Sequence, residues 1–267
     1  MDIFENEKFT ILRLVIDNSD RNFNYIIWCN ETRQCAVIDP LDARELLYEV
    51  RDKNLTIKYV INTHAHPDHI EGNNAIIKVS MISKILIHPD GLDYVSPRVQ
   101  TINDGDTINI GNISIKVLHT PGHCTEHVSL LIDDYVFVGD TLFVCGCGNT
   151  RFRGNPNDLY KSISTKLAIL PGDTKILCGH EYSENNLQFA LSVDPDNTEI
   201  NKKLKEISFN LERDKYPVTT IDQEKTYNPF LRLDNTRIID TLKNNHELKS
   251  DDPESVFIKL RELRNVW

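Results

Sequence analysis

The sequence lacks any long apolar run. No window approaches the ~20 apolar residues that a membrane helix needs. The first residues show neither a basic region followed by an apolar stretch nor the acid-free, arginine-rich character of a transit peptide. We therefore expect a cytoplasmic protein. Glycine and proline number only 11 each in 267 residues, which excludes collagenous and low-complexity chains.

Cysteine and basic residues are also scarce. Six cysteines are too few for a disulfide scaffold in a chain of this length, and they suit a reducing compartment. Lys and Arg number 30 against 40 Asp and Glu, which gives a formal net charge of −10. An acidic surface repels phosphate backbones and anionic lipids, so we expect neither a nucleic-acid nor a membrane partner.

Short runs with strand character dominate the first two thirds of the chain. They cover residues 9–17, 23–29, 34–38, 57–62, 84–88, 113–118, 128–132, 135–138 and 174–178. Helical patterns lie between them at residues 43–53, from 69 to about 79, and at 156–170, where Asn155 is a predicted cap before Pro156. Strand clusters with interspersed helices predict an α+β fold with sheets packed on each other and helices outside.

The apolar period changes after residue 180. Spacings of three, four and seven residues then predict helices, separated by a proline-punctuated stretch over residues 216–230 that we interpret as an ordered connection. The length corresponds to about 1.8 typical domains. The sequence therefore predicts a first domain over residues 1–180 and a smaller helical domain over residues 181–267.

Four potential metal ligands follow the predicted strand at residues 57–62. They are His64, His66, Asp68 and His69. In extended backbone, side chains at i and i+2 point the same way, whereas the last two residues follow a bend fixed by a proline. Histidine and aspartate bind divalent cations, so this cluster can serve two adjacent metal ions.

Three further ligands occupy the same kind of position, after a strand and directly after a glycine. They are His123, Asp140 and His180. A strand end offers rigid backbone on which a ligand can be held. The remaining histidines match no ligand position, and we expect supporting or core roles for His119 and His127 and surface positions for His88 and His246.

The ordered motifs HxHxDH, TPGH, GDT and CGH resemble those of the metallo-β-lactamase superfamily. The resemblance implies an αββα sandwich with the metals at one edge of the two sheets. It also implies one ion on His64, His66 and His123, a second on Asp68, His69 and His180, and Asp140 bridging both. Zinc is the first expectation for these two divalent ions, with iron and manganese as alternatives, because such ligands suit all three.

Further motifs narrow the resemblance to the glyoxalase II family, the hydroxyacylglutathione hydrolases. They are GDTLF at residues 139–143, GCG at 146–148, CGHEY at 178–182 with NNL after it at 185–187, and TYNPF at 226–230. The family implies hydrolysis of S-D-lactoylglutathione, an S-(2-hydroxyacyl)glutathione, to D-lactate and glutathione in methylglyoxal detoxification. The implied nucleophile is a metal-bridging hydroxide, with Asp68 and Asp140 as catalytic residues. We expect a monomer whose partner is this small thioester.

Glutathione carries two carboxylates, so its site should offer local cations. Arg261 and Arg264 lie three residues apart on one face of the predicted last helix, residues 253–264. They match the family's Arg-x-x-Lys pair, with arginine in place of lysine. Tyr182 matches the family tyrosine that hydrogen-bonds the substrate backbone.

The loop over residues 148–154 departs from the family pattern. It has one residue more between its glycines, and Arg153 stands where the family has glutamate. We assign Phe152 to the family's aromatic position and Arg151 as the substitute cation. The departure bears on which thiol the site accepts.

Three other functions compete with this interpretation. A persulfide dioxygenase of the same superfamily binds one iron and normally lacks the helical domain. A processing nuclease is disfavoured by the acidic charge. A non-catalytic metal-binding module should have lost ligands, and the sequence retains all seven.

Overall fold

The computed structural model describes residues 1–80 and 83–267. Its first compact unit comprises Met1–His119, Glu126–Asp133 and Phe137–Gly139, and the second comprises Thr120–Thr125, Asp134–Val136 and Asp140–Trp267. These units are defined by compactness alone, so they do not test the predicted domain boundary at residue 180, which stays a prediction. No helix in the described part of the chain has the length and apolar character needed to span a membrane.

A mixed sheet whose strands pair in chain order forms much of the first unit. Its strands are β1 (Asp2–Glu5), β2 (Phe9–Val15), β3 (Phe23–Cys29), β4 (Gln34–Ile38), β5 (Thr56–Ile61), β6 (Lys84–Ile87) and β7 (Val99–Thr101). The pairs from β1 to β4 are antiparallel and those from β4 to β7 are parallel. The crossovers within the first parallel pairs contain α1 (Ala43–Asp52), α2 (Pro67–Ile70) and α3 (Asn73–Val79).

Both faces of this sheet are covered. On one face, Ile26 and Trp28 of β3 belong to the same buried cluster as Leu46 of α1. On the other, the Tyr25 ring meets Phe137 edge-on, with centroids 5.2 Å apart. Burial on both sides explains why β3 is almost continuously apolar instead of alternating.

The first unit also contains β8 (Thr107–Ile110), β9 (Ile113–His119) and β10 (Val128–Ile132), which form an antiparallel ladder, and the end of β11 (Tyr135–Gly139). In β9, Ile113, Ile115 and Val117 are buried and the residues between them are exposed, as expected for a strand with one solvated face. The Gln34 side chain accepts a hydrogen bond from the Gly111 amide at 3.2 Å. The prediction of sheets packed together with helices outside is confirmed.

The second unit is mainly helical. Its elements are the hairpin β12 (Leu142–Phe143) and β13 (Gly146–Cys147), α4 (Pro156–Ser162), β14 (Lys175–Cys178), α5 (Ser183–Val193), α6 (Thr198–Leu211), β15 (Thr219–Thr220), α7 (Ile221–Tyr227), α8 (Thr236–His246) and α9 (Pro253–Arg264). β14 and β15 pair antiparallel. Leu187 and Ala190 of α5 pack with Ile200 and Ile207 of α6, which confirms the helical period after residue 180.

One predicted connection is in fact a helix. The stretch over residues 216–230 contains β15 and α7, and α7 begins with a capping box. The Thr220 hydroxyl accepts from the Gln223 amide at 3.3 Å, while the Gln223 side chain accepts from the Thr220 amide at 3.2 Å. This reciprocal pair satisfies two amides of the first turn. The helix was not predicted because it has only seven residues and prolines flank it.

Asp252 caps the N-terminus of α9. Hydrogen bonds from the Ser250 and Ser255 side chains and the Ser255 backbone hold its pKa at about 2, well below its ordinary value. A carboxyl with a depressed pKa in the folded state stabilises that state above its unfolded pKa of about 3.9. This contribution is lost as the pH falls toward the folded value.

We therefore expect Asp252→Ala to lower the free energy of unfolding at neutral pH, since α9 loses its cap. The difference from wild type should shrink as the pH falls from about 4 to about 2. Urea unfolding followed by circular dichroism at several pH values measures it. Asp196→Ala, at an exposed turn, is the control. A difference independent of pH would contradict the capping role.

Candidate metal centre

The carboxyl ends of β4 and β5 meet at one edge of the first sheet, because the two strands run parallel with Ile38 opposite Ile61. The Asp39 amide donates to the Ile61 carbonyl at 3.0 Å and extends this pairing by one residue. Side chains that follow both strands are thereby brought together. In α/β sheets, this edge is where ligand sites form.

Asp39 organises the loop that follows β5. Its carboxylate accepts from the Thr63 amide at 2.7 Å and from the Thr63 hydroxyl at 2.6 Å, and it lies 3.0 Å from His69 Nδ1. A carboxylate beside one ring nitrogen orients the imidazole. Asp39 was not among the site residues predicted from the sequence. Its signal was an aspartate directly after a buried strand, the same position that marked the predicted ligands.

The four predicted ligands of this loop lie close together. His64 Nε2 is 3.1 Å from His66 Nδ1, and the His64 and His69 ring centroids are 4.0 Å apart. His69 Nε2 is 3.4 Å from an Asp68 carboxylate oxygen. Asn22, which the sequence analysis also missed, donates to that carboxylate at 2.9 Å and orients it.

The start of β10 supports the same loop. The Val128 amide donates to the Thr63 carbonyl at 2.8 Å. His127 is buried and its ring stacks on His64 at 5.0 Å, so the predicted supporting role of His127 is confirmed.

The predicted surface position of His88 was wrong. Its side chain is only 12% exposed, and its ring lies flat on that of His119 at 4.0 Å. Each imidazole covers one face of the other.

The second unit holds the other three predicted ligands. A carboxylate oxygen of Asp140 lies 3.6 Å from His123 Nε2 and 3.3 Å from His180 Nε2. His123 Nδ1 is 2.7 Å from the Asn149 carbonyl, which fixes the proton on Nδ1 and leaves the Nε2 lone pair directed toward Asp140. The His180 ring stacks on Tyr182 with centroids 4.9 Å apart.

The turn before His123 requires glycine. Gly122 has φ +138°, and a Cβ there would lie 2.2 Å from the Cα of Leu159 in α4. Any side chain would push the turn away from α4 and displace His123. The glycine of the TPGH motif is thus explained by packing.

Within each unit, these side chains fit divalent cations. Imidazole nitrogens and carboxylate oxygens face one another at 3.1 to 3.6 Å, and His64, His69, His123 and His180 are buried. Neutral imidazole and carboxylate are a donor set that divalent metals accept. The joint use of all seven ligands stays a prediction.

A cavity of about 270 Å³ lies within the second unit. Its lining includes His123 and Asp140 together with all five residues predicted to bind substrate, Arg151, Phe152, Tyr182, Arg261 and Arg264. The lining also includes Asn186, Asn265 and Trp267, which the sequence analysis did not assign to the site. Ligand residues and predicted recognition residues therefore line one cavity.

The two arginines of α9 are held differently. Arg261 is buried, and its Nη1 donates to the carbonyls of Cys147 at 2.7 Å and Gly148 at 3.1 Å. Arg264 donates to the Asn186 side-chain oxygen, from Nη2 at 3.1 Å and from Nε at 3.4 Å. Burial, and then repulsion by Arg261, lowers the pKa of Arg264. No carboxylate among residues 1–80 and 83–267 pairs with either guanidinium, so the cavity suits an anion.

Side chains of α7 and of the residue after it fix the loop that forms part of the cavity wall. The buried Glu224 carboxylate accepts from the Cys145 amide at 2.8 Å, and the Asn228 side chain donates to the Gly146 carbonyl at 3.2 Å. Burial raises the pKa of Glu224, although the hydrogen bonds that it accepts lower it. These contacts fix the loop that presents Cys147 and Gly148 to Arg261.

Comparison with known proteins gives matches over almost the whole chain. Family models described as "Metallo-beta-lactamase superfamily" and "Hydroxyacylglutathione hydrolase C-terminus" match residues 20–180 and 181–267. A hydroxyacylglutathione hydrolase of Nitrosococcus oceani is 41% identical, over 94% of this chain and 97% of that protein. A cytoplasmic hydroxyacylglutathione hydrolase of Arabidopsis thaliana is 36% identical, over 92% and 95%. The crystal structure of ETHE1 from Myxococcus xanthus gives a TM-score of 0.67 at 27% identity, over 96% and 98%.

The Asp39 contacts lead to a prediction. Asp39→Asn keeps the shape but loses one carboxylate oxygen, so it can no longer accept from both Thr63 donors and face His69 at the same time. We expect metal affinity to fall roughly 10-fold to 100-fold. The free energy of unfolding should fall by about 1 to 3 kcal/mol, because a buried donor loses its partner. Metal content after dialysis against a graded chelator series and urea unfolding measure the two effects.

Asp93→Asn, on an exposed turn of the same unit, is the matched control. Wild-type metal retention in the Asp39 variant would contradict the orienting role.

Proposed function

The chain belongs to the hydroxyacylglutathione hydrolase family, and from this premise we propose that it hydrolyses S-D-lactoylglutathione to D-lactate and glutathione. Its fold is the metallo-β-lactamase αββα sandwich with a helical C-terminal part, as the sequence predicted. One observation carries the proposal beyond the family. His123 and Asp140 line the same cavity as the arginines suited to a carboxylate-bearing substrate.

The proposed metal site takes two divalent ions, zinc first and iron or manganese as alternatives. The first ion is assigned to His64, His66 and His123, the second to Asp68, His69 and His180, and Asp140 to both. The chemistry that such ions supply when bound is hydroxide near neutral pH and stabilisation of the oxyanion that forms on the thioester carbonyl. The orienting contacts of Asp39 and Asn149 support this assignment, because each lies beside the Nδ1 of a histidine whose Nε2 faces a carboxylate of the proposed site.

The catalytic roles in the chain go to Asp68 and Asp140. Asn22 holds the Asp68 carboxylate by a hydrogen bond of 2.9 Å, so one oxygen has a fixed direction. Hydrolysis adds water across the thioester, which breaks the carbon–sulfur bond and releases a carboxylic acid and a thiol. A thiol with a pKa of about 8.5 leaves as its anion, so the protein needs no strong general acid.

Recognition of the thiol part falls to the cavity lining. Tyr182 stacks on His180, which restricts its ring, and it lines the cavity, so its phenol is the proposed contact for the substrate backbone. Arg264 is the proposed contact for a terminal carboxylate, and Arg261 fixes the neighbouring loop through its two carbonyl contacts. Arg151 donates to the Asn265 carbonyl at the rim, and the ring of Phe152 is 64% exposed there.

The proposal extends to location and assembly. The Arabidopsis relative is named as cytoplasmic, which supports a cytoplasmic location for this chain. We also propose that the protein acts as a monomer on this small thioester, with no nucleic-acid or membrane partner. The acidic net charge of −10 supports the absence of polyanionic partners.

Purified protein should contain about two metal ions per chain and release thiol from S-D-lactoylglutathione. Elemental analysis and a thiol-reactive dye measure both in one sample, and Asp140→Ala should lose both because its carboxylate is assigned to both ions. Metal-loaded wild-type protein without thioesterase activity would refute the proposed function. Oxygen uptake with glutathione persulfide on the same sample would instead support the dioxygenase alternative.

Arg264→Met should raise KM about 10-fold to 100-fold with kcat little changed. Loss of a hydrogen bond to a charged group costs roughly 1.5 to 3 kcal/mol, and the contact lies away from the reacting carbonyl. Steady-state kinetics measures this, with Arg237→Met on the exposed face of α8 as the control. Arg261→Met should raise KM and also lower stability, since two loop carbonyls lose their donor. An unchanged KM in both variants would contradict substrate binding by the two arginines and leave them only a structural role.

A further inference from the structure

We propose that Asn186 is a positioning residue that fixes the Arg264 guanidinium for the carboxylate of the substrate's thiol part. The inference rests on the proposed function for the identity of that carboxylate. Asn186 lies on α5 and lines the cavity. No role followed for it from the sequence.

The geometry joins two elements distant in the chain. Arg264 Nη2 and Nε both donate to the Asn186 side-chain oxygen, at 3.1 Å and 3.4 Å. Two bonds from one guanidinium edge to one acceptor restrict rotation of the planar group. An arginine side chain loses rotamer entropy when it is immobilised, and here that loss precedes ligand binding.

A neutral acceptor suits this position. Arg264 already experiences repulsion from Arg261 and partial burial, both of which act against its positive charge. A carboxylate in place of Asn186 would hold the guanidinium but would also neutralise it toward an incoming anion. An amide oxygen orients the group and leaves its full charge for the ligand.

Asn186 is itself held on its other side. Its side-chain amide donates to the Val144 carbonyl at 3.0 Å, so its oxygen faces Arg264. The opposing wall requires glycine, because a Cβ on Gly146 would lie 2.6 Å from the Asn186 amide group. The glycine that opens the GCG motif is thus explained by the space that Asn186 occupies.

The next turn of α5 completes the arrangement. The Arg264 guanidinium carbon lies 5.9 Å from the centre of the Phe189 ring, and Trp267 meets that ring edge-on at 5.7 Å. A guanidinium over an aromatic face gains a further attraction that leaves its charge intact. Asn186 fixes the guanidinium by hydrogen bonds while Phe189 supports it.

The test is a double-mutant cycle on KM. Asn186→Ala should raise KM for S-D-lactoylglutathione about 10-fold, with kcat little changed, because its acceptor bonds with a charged group are lost. In the Arg264→Met background, Asn186→Ala should add almost nothing, since it acts through Arg264. The same substitution should hardly affect KM for S-lactoyl-γ-glutamylcysteine, which lacks the glycine residue and its carboxylate. Asn185→Ala, at the exposed neighbouring position, is the matched control.

A second readout does not depend on activity. Phenylglyoxal labelling, followed by mass spectrometry with exposed Arg237 as the internal reference, should modify Arg264 several times faster in Asn186→Ala than in wild type. Unchanged labelling overturns the inference, as do additive KM effects of the two substitutions. Faster labelling with unchanged KM also overturns it, because Arg264 is then free but unused. A wild type that hydrolyses no thioester refutes the proposed function, while the labelling still decides whether Asn186 fixes Arg264.

Discussion

The loop between β5 and α3 depends on one carboxylate at the end of the neighbouring parallel strand. Asp39 accepts both polar hydrogens of Thr63 and faces Nδ1 of His69, so three groups that lie up to 30 positions along the chain from it are fixed together. Each buried donor left without an acceptor would cost about 1 to 3 kcal/mol. Parallel pairing of β4 and β5 is what brings this carboxylate to the loop. The sheet therefore orients the histidines before any ligand is considered.

In the second unit, a different set of polar side chains fixes the loop that forms the cavity wall. Glu224 and Asn228 fix the loop around residues 143–146 from one side, and Arg261 binds the following carbonyls from α9. The helical part of the chain thereby shapes the cavity wall as well as contributing cations to it. This accounts for a buried, ionisable Glu224 beside the apolar cluster that includes Leu187 and Ile207. Loss of either support would move the backbone on which the cavity is built.

Sequence patterns predicted the elements whose burial is regular. β3, β4 and β10 have the predicted bounds, because nearly continuous burial gives a mostly apolar run. β1 and β7 escaped prediction since each is a short strand at a sheet edge with mostly part-exposed residues. Ligand residue types stood out locally, whereas Asp39 did not, and Asn186 stood in a recognisable motif without an assigned role. Asn186 acts on a residue 78 positions away, so only the fold reveals the contact.

The charge distribution explains how an acidic protein can take an anionic substrate. The net charge of −10 is spread over a surface where interactions beyond a Debye length of about 8 Å are screened. A polyanion must lie across much of that surface and meets repulsion at many points. A small anion that enters the cavity instead lies in a partly buried space lined by Arg151, Arg261 and Arg264, where attraction is less screened. Asn186 holds the Arg264 guanidinium without neutralising its charge, so Arg264 can make a directed contact with an anion. The overall composition of the chain does not predict this contact.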